Sequence, residues 1–232
     1  MLRPYKTIMR IHTLFTGVAN AHLVETGHGV VLIDAGMPHM TWRILGKMRA
    51  LGYSPKDLRL ILLTHGHIDH AGSAVALKRA TGAPIAMHPD DVRLTTTPSL
   101  KIPPGRGKTT NAIGALMRTF GFLTPLDTFT PDIALTDGQS LNDFGFAARV
   151  WHTPGHTAGS VTTITADGEA FVGDSILNLL HVSFPLYWED PKTARESACR
   201  IQSLQPRVCY SGHGKAFEYK ALDNFVGDHC EE

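Results

Sequence analysis

Four side chains that can bind metal ions crowd into six consecutive positions. Residues 65–70 read His-Gly-His-Ile-Asp-His and directly follow an apolar run at 58–63. Imidazole and carboxylate groups are ordinary protein ligands of Zn2+ and related divalent ions. His65 and His67 can face one point from the end of a strand, while Asp69 and His70 turn toward another. One short loop could therefore serve two metal ions.

The same ligand chemistry recurs further along the chain, each time just beyond a strand-like segment. His156 follows a Pro-Gly pair, Asp174 follows an apolar segment that ends in glycine, and His213 lies between two glycines. An isolated His-x-His could be a surface loop that is histidine-rich by chance. The recurrence favours a single site built from several loops on a rigid scaffold.

This pattern resembles the ligand motif of the metallo-β-lactamase superfamily, in its dinuclear, glyoxalase II-like branch. The resemblance extends from residues 20–24 and 32–36 to residues 211–214. It implies an α/β fold, the four-layer αββα sandwich. It also implies that one metal is held by His65, His67 and His156 and the other by Asp69, His70 and His213, with Asp174 bridging both.

Two further residues near these segments, Asp34 and His88, are not counted as ligands. Asp34 ends the buried segment at 30–33, and in the superfamily the corresponding Asp supports the ligand loop without binding metal. The resemblance implies that role for Asp34, with a plain turn residue as the alternative. His88 ends another strand-like segment, and we do not count it as a ligand because the set is complete without it.

The predicted site is catalytic rather than structural. The ligand set leaves coordination positions open, and metal binding lowers the pKa of a bound water toward about 7. A structural zinc site would be closed by four protein ligands, often Cys, which this set lacks. We expect two divalent metal ions, Zn2+ first and Fe or Mn as alternatives.

The predicted reaction is hydrolysis of an acyl bond of a small molecule, an ester, thioester or lactone. The resemblance implies attack by a metal-bridging hydroxide, which Asp69 would orient, so that no Ser or Cys nucleophile is needed. No Gly-x-Ser-x-Gly elbow occurs in the sequence. The alternatives are an oxidoreductase of the same fold with a single iron, similar to a persulfide dioxygenase, a β-lactam hydrolase, and a non-catalytic binding module.

The substrate is less well specified than the reaction. Basic residues after Asp174 and a C-terminal helical domain, which grip glutathione in the thioester hydrolases of the family, look absent. Homoserine-lactone hydrolases place a Tyr where this chain has Leu177, and classical metallo-β-lactamases replace the bridging Asp. The apolar run that includes Leu177 and Leu180, with Tyr187 beyond it, suggests a pocket wall; core packing is the alternative.

Composition predicts one domain over residues 1–232 and argues against several partners. The chain has 22 Lys and Arg against 21 Asp and Glu, with no long basic run, so we expect no nucleic-acid partner. No signal peptide or membrane span can be drawn near the N-terminus. Three cysteines in no Cys-x-x-Cys spacing argue against a disulfide framework, so we expect a cytoplasmic protein. A homo-oligomer is left open.

Hydrophobic periodicity predicts two similar halves of strands and helices, and thus two packed sheets with helices on both outer faces. Strands are expected within 9–25, 30–33, 59–63, 84–89, 144–151, 161–165, 170–172 and 208–210, and helices within 40–51, 73–80, 112–123 and 194–204. Thr193 and Glu196 have capping-box spacing for the last helix. The stretch 89–135 is expected to form a lid or substrate wall, because long loops in compact domains are usually functional. Its Gly105–Thr109 segment imitates a phosphate-binding loop but lacks that motif's first glycine.

Overall fold

In the computed structural model, which describes residues 9–97, 105, 107–120, 127–227 and 230, the first sheet contains six strands in sequential order. They are β1 (Arg10–Phe15), β2 (Asn20–Thr26), β3 (Gly29–Ile33), β4 (Leu58–Leu62), β5 (Ile85–Met87) and β6 (Ile133–Ala134). β1 to β3 form an antiparallel meander, and β3 to β6 run parallel. The carboxyl ends of β3, β4 and β5 therefore lie at one edge.

A second sheet contains five of the remaining described strands. The strands after β6 are β7 (Ala148–His152), β8 (Val161–Thr165), β9 (Glu169–Gly173), β10 (Leu177–Asn178), β11 (Val182–Ser183), β12 (Val208–Ser211) and β13 (Phe217–Glu218). The sheet order is β13-β12-β9-β8-β7, while β10 and β11 form a separate hairpin. β7 to β9 are antiparallel, as the Asp-Gly turn between β8 and β9 predicts, and β9 pairs with β12 in parallel.

The described helices cover the sheets and join the strands. They are α1 (Thr41–Ala50), α2 (Ile68–Ala71), α3 (Ala74–Thr81), α4 (Val92–Thr95), α5 (Lys108–Phe120), α6 (Pro191–Ser203) and α7 (Tyr219–Val226). Gly82 ends α3 in the left-handed conformation that glycine adopts readily. The cap predicted for α6 is wrong: Asp190, not Thr193, accepts from the backbone N–H groups of Lys192 and Thr193. An Asp directly before a Pro at the first helical position is itself a strong start signal.

Three apolar clusters separate the four layers. Along β3, Val30 and Leu32 join a cluster with α1 and α3, whereas Val31 and Ile33 face the second sheet, as the two-residue period of a strand requires. A third cluster lies between the second sheet and the helices α6 and α7. The order of layers is helices, sheet, sheet, helices, which confirms the predicted αββα sandwich.

One sequence-based prediction is wrong, and another lies partly outside the described residues. The prediction that the cysteines form no disulfide is wrong, because Cys199 on α6 is bonded to Cys230, with Cα atoms 5.7 Å apart. The partners are 31 residues apart in sequence, so only the fold brings them together. Residues 1–8, Arg106 and residues 121–123 of the predicted 112–123 helix lie outside the described residues. Within the described part of the chain, no helix is long and apolar enough to cross a membrane.

Candidate metal centre

The loop at 64–70 leaves the end of β4 in the middle of the first sheet. His67 has extended backbone (φ −68°, ψ 151°), and the one-turn helix α2 begins directly after it. Asp69 and His70 therefore project from a helical turn, whereas His65 and His67 project from non-helical backbone. This change of backbone within six residues separates the loop's side chains into two sets.

The other three predicted ligands come from the second sheet. His156 lies between β7 and β8, Asp174 directly follows β9, and His213 follows β12. The fold brings all seven predicted ligands together in three overlapping groups, each with its ligand atoms within 4.8 Å of one another. The groups are His65 with His67 and His156, His65 with His70 and Asp174, and Asp69 with His70 and His213.

In the first group, three imidazole nitrogens converge on one point. His156 Nε2 lies 2.9 Å from His67 Nδ1 and 3.3 Å from His65 Nε2. Nitrogens bound tetrahedrally to zinc at about 2.0–2.1 Å are roughly 3.3 Å apart, so the spacing fits such an ion. Burial lowers the pKa of His67 to about 3 and the pKa of His65 well below its ordinary value. Both rings are thus neutral at pH 7, the form that binds metal.

The second metal group consists of Asp69, His70 and His213, and Asp174 lies between its histidines and those of the first group. His213 Nε2 is 3.2 Å from Asp174 Oδ2 and 3.3 Å from Asp69 Oδ2, and His70 Nε2 is 3.4 Å from Asp174 Oδ1. Asp174 Oδ2 also lies 3.7 Å from His156 Nε2 of the first group. One carboxylate therefore reaches both groups, which is the arrangement that a bridging ligand needs.

Positive charge is favoured at the second group. Burial lowers the pKa values of His70 and His213, but the neighbouring carboxylates, Asp174 foremost, outweigh burial and raise them to about 9 and about 11. Bound metal would supply the same positive charge and release these protons. The group is thus electrostatically suited to a cation.

Three of the histidines are held from behind by hydrogen bonds of their Nδ1 atoms. The acceptors are Asp34 Oδ2 for His70 at 2.8 Å, the Tyr187 carbonyl for His156 at 2.7 Å and the Val18 carbonyl for His213 at 2.9 Å. Each bond leaves Nε2 free to face the site, as in most histidine metal sites. Among the described residues, His70 Nε2 and Asp174 Oδ1 are buried without a hydrogen-bond partner. Because buried polar atoms without partners cost free energy, the residues present fit a divalent cation.

Asp34 lies beneath the ligand loop, where the resemblance places it. Its backbone has φ +60°, a left-handed conformation that costs a non-glycine residue about 1–3 kcal/mol. Its side chain is 1% exposed and accepts from the Thr64 backbone N–H at 2.8 Å, from Thr64 Oγ1 and from His70 Nδ1. Asp34 thus supports the loop with both carboxylate oxygens and faces His70 rather than the centre of the site.

A second buried carboxylate, Asp91, was not found from the sequence. It ends a short 3-10 turn after β5, has no exposed surface, and hydrogen-bonds the ligand loop and the His156 loop. The only local signal is an acidic pair following a strand that ends at the same sheet edge as the ligand loop. That pair alone cannot be told from an ordinary helix start, which also favours acidic residues.

The residues predicted to line a substrate pocket differ in their exposure and contacts. Leu177 is 3% exposed and thus belongs to the core, the alternative that the sequence left open, whereas Leu180 is 95% exposed. Tyr187 donates a hydrogen bond from its hydroxyl to the carbonyl of Thr110 on α5, and its own carbonyl holds His156. The pocket role of Leu180 and Tyr187 stays a prediction.

His88 lies outside the three groups described above. It stacks on His152 with ring centroids 4.0 Å apart and planes 9° apart, and these two rings with Asp90 form a further cluster of close ligand atoms. Nitrogen lone pairs lie in the ring plane, so those of parallel rings run side by side rather than toward one point. We therefore treat His88 as a stacked, partly buried histidine outside the site.

The chain is similar to known proteins over most of its length. The model of the family described as metallo-beta-lactamase superfamily matches residues 14–213. The chain is similar to the probable metallo-hydrolase YflN of Bacillus subtilis (strain 168), with 27% identity over 225 residues that cover 88% of this chain and 83% of that protein. It is also similar to the crystal structure of TTHA1623 in a di-iron-bound form, with 30% identity, 93% of this chain and 96% of that chain covered, and a TM-score of 0.70.

A third relative has a named substrate type. An atrochrysone carboxyl ACP thioesterase of Aspergillus fumigatus (strain ATCC MYA-4609 / CBS 101355 / FGSC A1100 / Af293) is 28% identical over 207 residues, which cover 86% of this chain. The match covers 51% of that protein, so the chain spans about half of its length. The family match, the shared fold and the convergent histidines and aspartates agree: the chain belongs to the metallo-beta-lactamase superfamily.

Proposed function

We infer that this protein is a dinuclear metal-dependent hydrolase that cleaves an acyl bond, an ester, thioester or lactone, of a small molecule. The observation that carries this proposal is Asp174, whose Oδ2 lies 3.2 Å from His213 Nε2 and 3.7 Å from His156 Nε2. One carboxylate faces ligands of both groups, and each group has three further His or Asp ligands and no Cys. A structural zinc site would have four ligands of its own, often Cys, and would not need a shared carboxylate.

Two bound divalent ions would supply a water acidified to near neutral pH and a polarised acyl carbonyl. The protein's own contribution is to hold and orient the reactants. The side chain of Asp69 is 21% exposed, and its Oδ2 faces His213. Its other carboxylate oxygen is the one that would accept a hydrogen bond from the attacking water and hold the water's proton away from the acyl carbon.

An apolar acyl group is the substrate class that the surroundings favour. The backbone N–H of Asn178 donates to the carbonyl of His213 at 3.2 Å, which ties the β10–β11 hairpin to the site. The tip of that hairpin carries Leu179 and Leu180, which are 51% and 95% exposed. The similar atrochrysone carboxyl ACP thioesterase supports a thioester as the first bond to test.

The test is elemental analysis of protein purified without added metal, combined with a panel of thioesters, lactones, aryl esters and a chromogenic β-lactam. About two metal ions per chain with ester or thioester turnover that EDTA abolishes is the expected result. One iron per chain with oxygen consumption on a persulfide and no hydrolysis would instead identify the mononuclear oxidoreductase. Turnover of the β-lactam alone would place the chain among the β-lactam hydrolases.

A further inference from the structure

Asp91 joins two loops that come from different sheets. Its Oδ2 accepts hydrogen bonds from the Gly66 backbone N–H at 2.8 Å and from Thr157 Oγ1 at 2.7 Å. Its Oδ1 accepts from the Gly159 backbone N–H at 2.8 Å. One carboxylate therefore binds the β4 ligand loop on one side and the β7–β8 loop on the other.

The bonded groups are the immediate neighbours of the first metal group. Gly66 separates His65 from His67, and Thr157 directly follows His156. The three histidines of that group thus have a neighbour attached to Asp91, whereas His70 and His213 are held by Asp34 and the Val18 carbonyl. Asp34 also accepts from Thr64, the neighbour of His65, but its hydrogen bonds all stay within the ligand loop, so Asp91 is the carboxylate that joins that loop to the His156 loop.

The surrounding residues are shaped for this contact. A Cβ added to Gly159 would lie 2.7 Å from Asp91 Cγ, and one added to Gly66 would lie 2.9 Å from the Cβ of Leu94. Only glycine lets these two backbones approach the carboxylate so closely. The loops also meet at their bases, where the Val161 N–H donates to the Thr64 carbonyl at 2.8 Å, so Asp91 fixes the part nearer the ligands.

Only a carboxylate accepts from all three donors. An ionised Asp has about four acceptor sites and no donor, whereas Asn has one acceptor oxygen and an NH2 donor. In Asp91→Asn the NH2 group would face either the Gly159 N–H or the pair formed by Gly66 and Thr157. At least one donor of the ligand loops would be left facing another donor in a buried site, where such a mismatch is costly.

We propose that Asp91 is a positioning residue for the first metal group, which sets the distance between the His65–His67 loop and His156. The proposal rests on the proposed metal site but not on its reaction. Residues behind metal ligands change metal affinity by about 10–100-fold when they are replaced. The expected effect of Asp91→Asn is a loss of that order at the first group, with the second group changed much less.

The test measures Zn2+ binding to metal-free protein by competition with a chromogenic chelator, and resolves two binding steps. His156→Ala and His213→Ala assign each step to the first or the second group. Asp90→Asn is the matched control, because it makes the same chemical change one residue away on an exposed side chain. Thermal unfolding of each metal-free variant reports any general loss of structure.

A selective loss at the first step in Asp91→Asn, with Asp90→Asn near wild type, supports the proposal. Equal losses at both steps, or a lowered melting temperature of the metal-free protein with unchanged affinities, would overturn it in favour of a merely structural role. Should Asp91→Asn fail to fold, Thr157→Val removes one of the three bonds, and we expect a smaller loss at the same step; no loss there would also overturn it. Wild-type protein that binds two zinc ions but hydrolyses none of the substrates would refute the proposed function. The effect of Asp91→Asn on Zn2+ affinity could still be interpreted.

Discussion

His70 and Asp34 form a fully buried pair in which His70 Nδ1 lies 2.8 Å from Asp34 Oδ2. His70 comes from the helical turn of the ligand loop, and Asp34 comes from the end of the neighbouring strand β3. The bond fixes the imidazole so that Nε2 faces Asp174. A side chain that binds no metal itself thereby decides where a predicted ligand atom points.

Replacing Asp34 by Asn should weaken the second metal group. An asparagine at this position has a single acceptor oxygen, so its NH2 group would face either the Thr64 backbone N–H, which now donates to Oδ1, or His70 Nδ1, which now bonds Oδ2. Either the backbone of the ligand loop or the imidazole would thus lose the bond that holds it. We expect about a 10–100-fold loss of Zn2+ affinity at the step assigned to the second group, measured by chelator competition. Asp57→Asn, on an exposed turn, is the control. Unchanged affinity in Asp34→Asn would leave Asp34 as an ordinary turn residue.

Removal of predicted ligands should lower metal content and hydrolysis, whereas removal of the stacked histidine should not. His67→Ala and Asp174→Ala remove ligand atoms that converge on the site, so both metal content and hydrolysis should fall sharply. His88→Ala should leave both near wild type, because His88 stacks on His152 away from the convergent nitrogens. Elemental analysis and initial rates check this. A His88 variant that loses metal would show that the ligand set is incomplete.

Two leucines three residues apart should differ in how much unfolding free energy the protein loses when each is replaced by Ala. Leu177→Ala opens a cavity at a side chain that is 3% exposed, and such changes cost about 2–5 kcal/mol of unfolding free energy. Leu180→Ala removes a side chain that is 95% exposed and should change stability by no more than about 0.5 kcal/mol. Urea unfolding measures both. A substrate role of Leu180 would then appear as a raised KM for apolar acyl groups in a variant of normal stability.

His22 should make the metal-free protein less stable in acid. Burial lowers its pKa to about 4, although Asp34 acts in the opposite direction. Its unfolded pKa is about 6.5, so between pH 6.5 and 4 the unfolded chain binds a proton that the folded chain does not. Stability is therefore lost as the pH falls from 6.5, and the loss from this one residue reaches about 3 kcal/mol near pH 4.

The measurement for His22 is urea unfolding at pH 7 and pH 4.5 in EDTA, for wild type and His22→Phe. Phe keeps an aromatic ring against Phe171 and Tyr210 but cannot take up a proton. The variant should lose less stability in acid by about 2–3 kcal/mol, while buried His65 and His67 contribute equally in both proteins. Equal losses in the two proteins would mean that His22 is protonated in the fold.

The sequence identified side chains that the fold brings close together, because they are chemically unusual and locally spaced. Residues 65–70 are recognisable because four metal-binding side chains lie within six positions. His156, Asp174 and His213 each follow a strand, so a fold that aligns strand ends brings them together. The strands Leu58–Leu62 and Gly29–Ile33 were equally predictable because their side chains are mostly apolar. Residue composition and hydrophobic periodicity can be read from the sequence without knowledge of the tertiary structure.

Asp91 and the pocket residues could not be predicted in the same way. Asp91 is defined by bonds to Gly66, Thr157 and Gly159, which are 25 to 68 residues away. Leu177 and Leu180 have the same residue type in one apolar run, and only the hairpin decides which one is buried. Such long-range relationships leave no local pattern, and the disulfide is a further example.

The Cys199–Cys230 bond should be detectable by counting thiols. The sequence has three cysteines, and Cys209 is buried, with its pKa raised to about 12 by burial. Protein purified in air and then denatured without reductant should show one reactive thiol per chain, and three after reduction. Three thiols in both samples would contradict the pairing.

The bond should also contribute to stability, because it closes a 31-residue loop in the unfolded chain. The chain-entropy relation gives about 3–4 kcal/mol for a loop of this length. Cys199→Ser and Cys230→Ser should each lower the unfolding free energy by that order without reductant. In reductant both variants should approach wild type, because the wild-type bond is then broken as well. A deficit that persists in reductant would assign the loss to packing on α6 rather than to the crosslink.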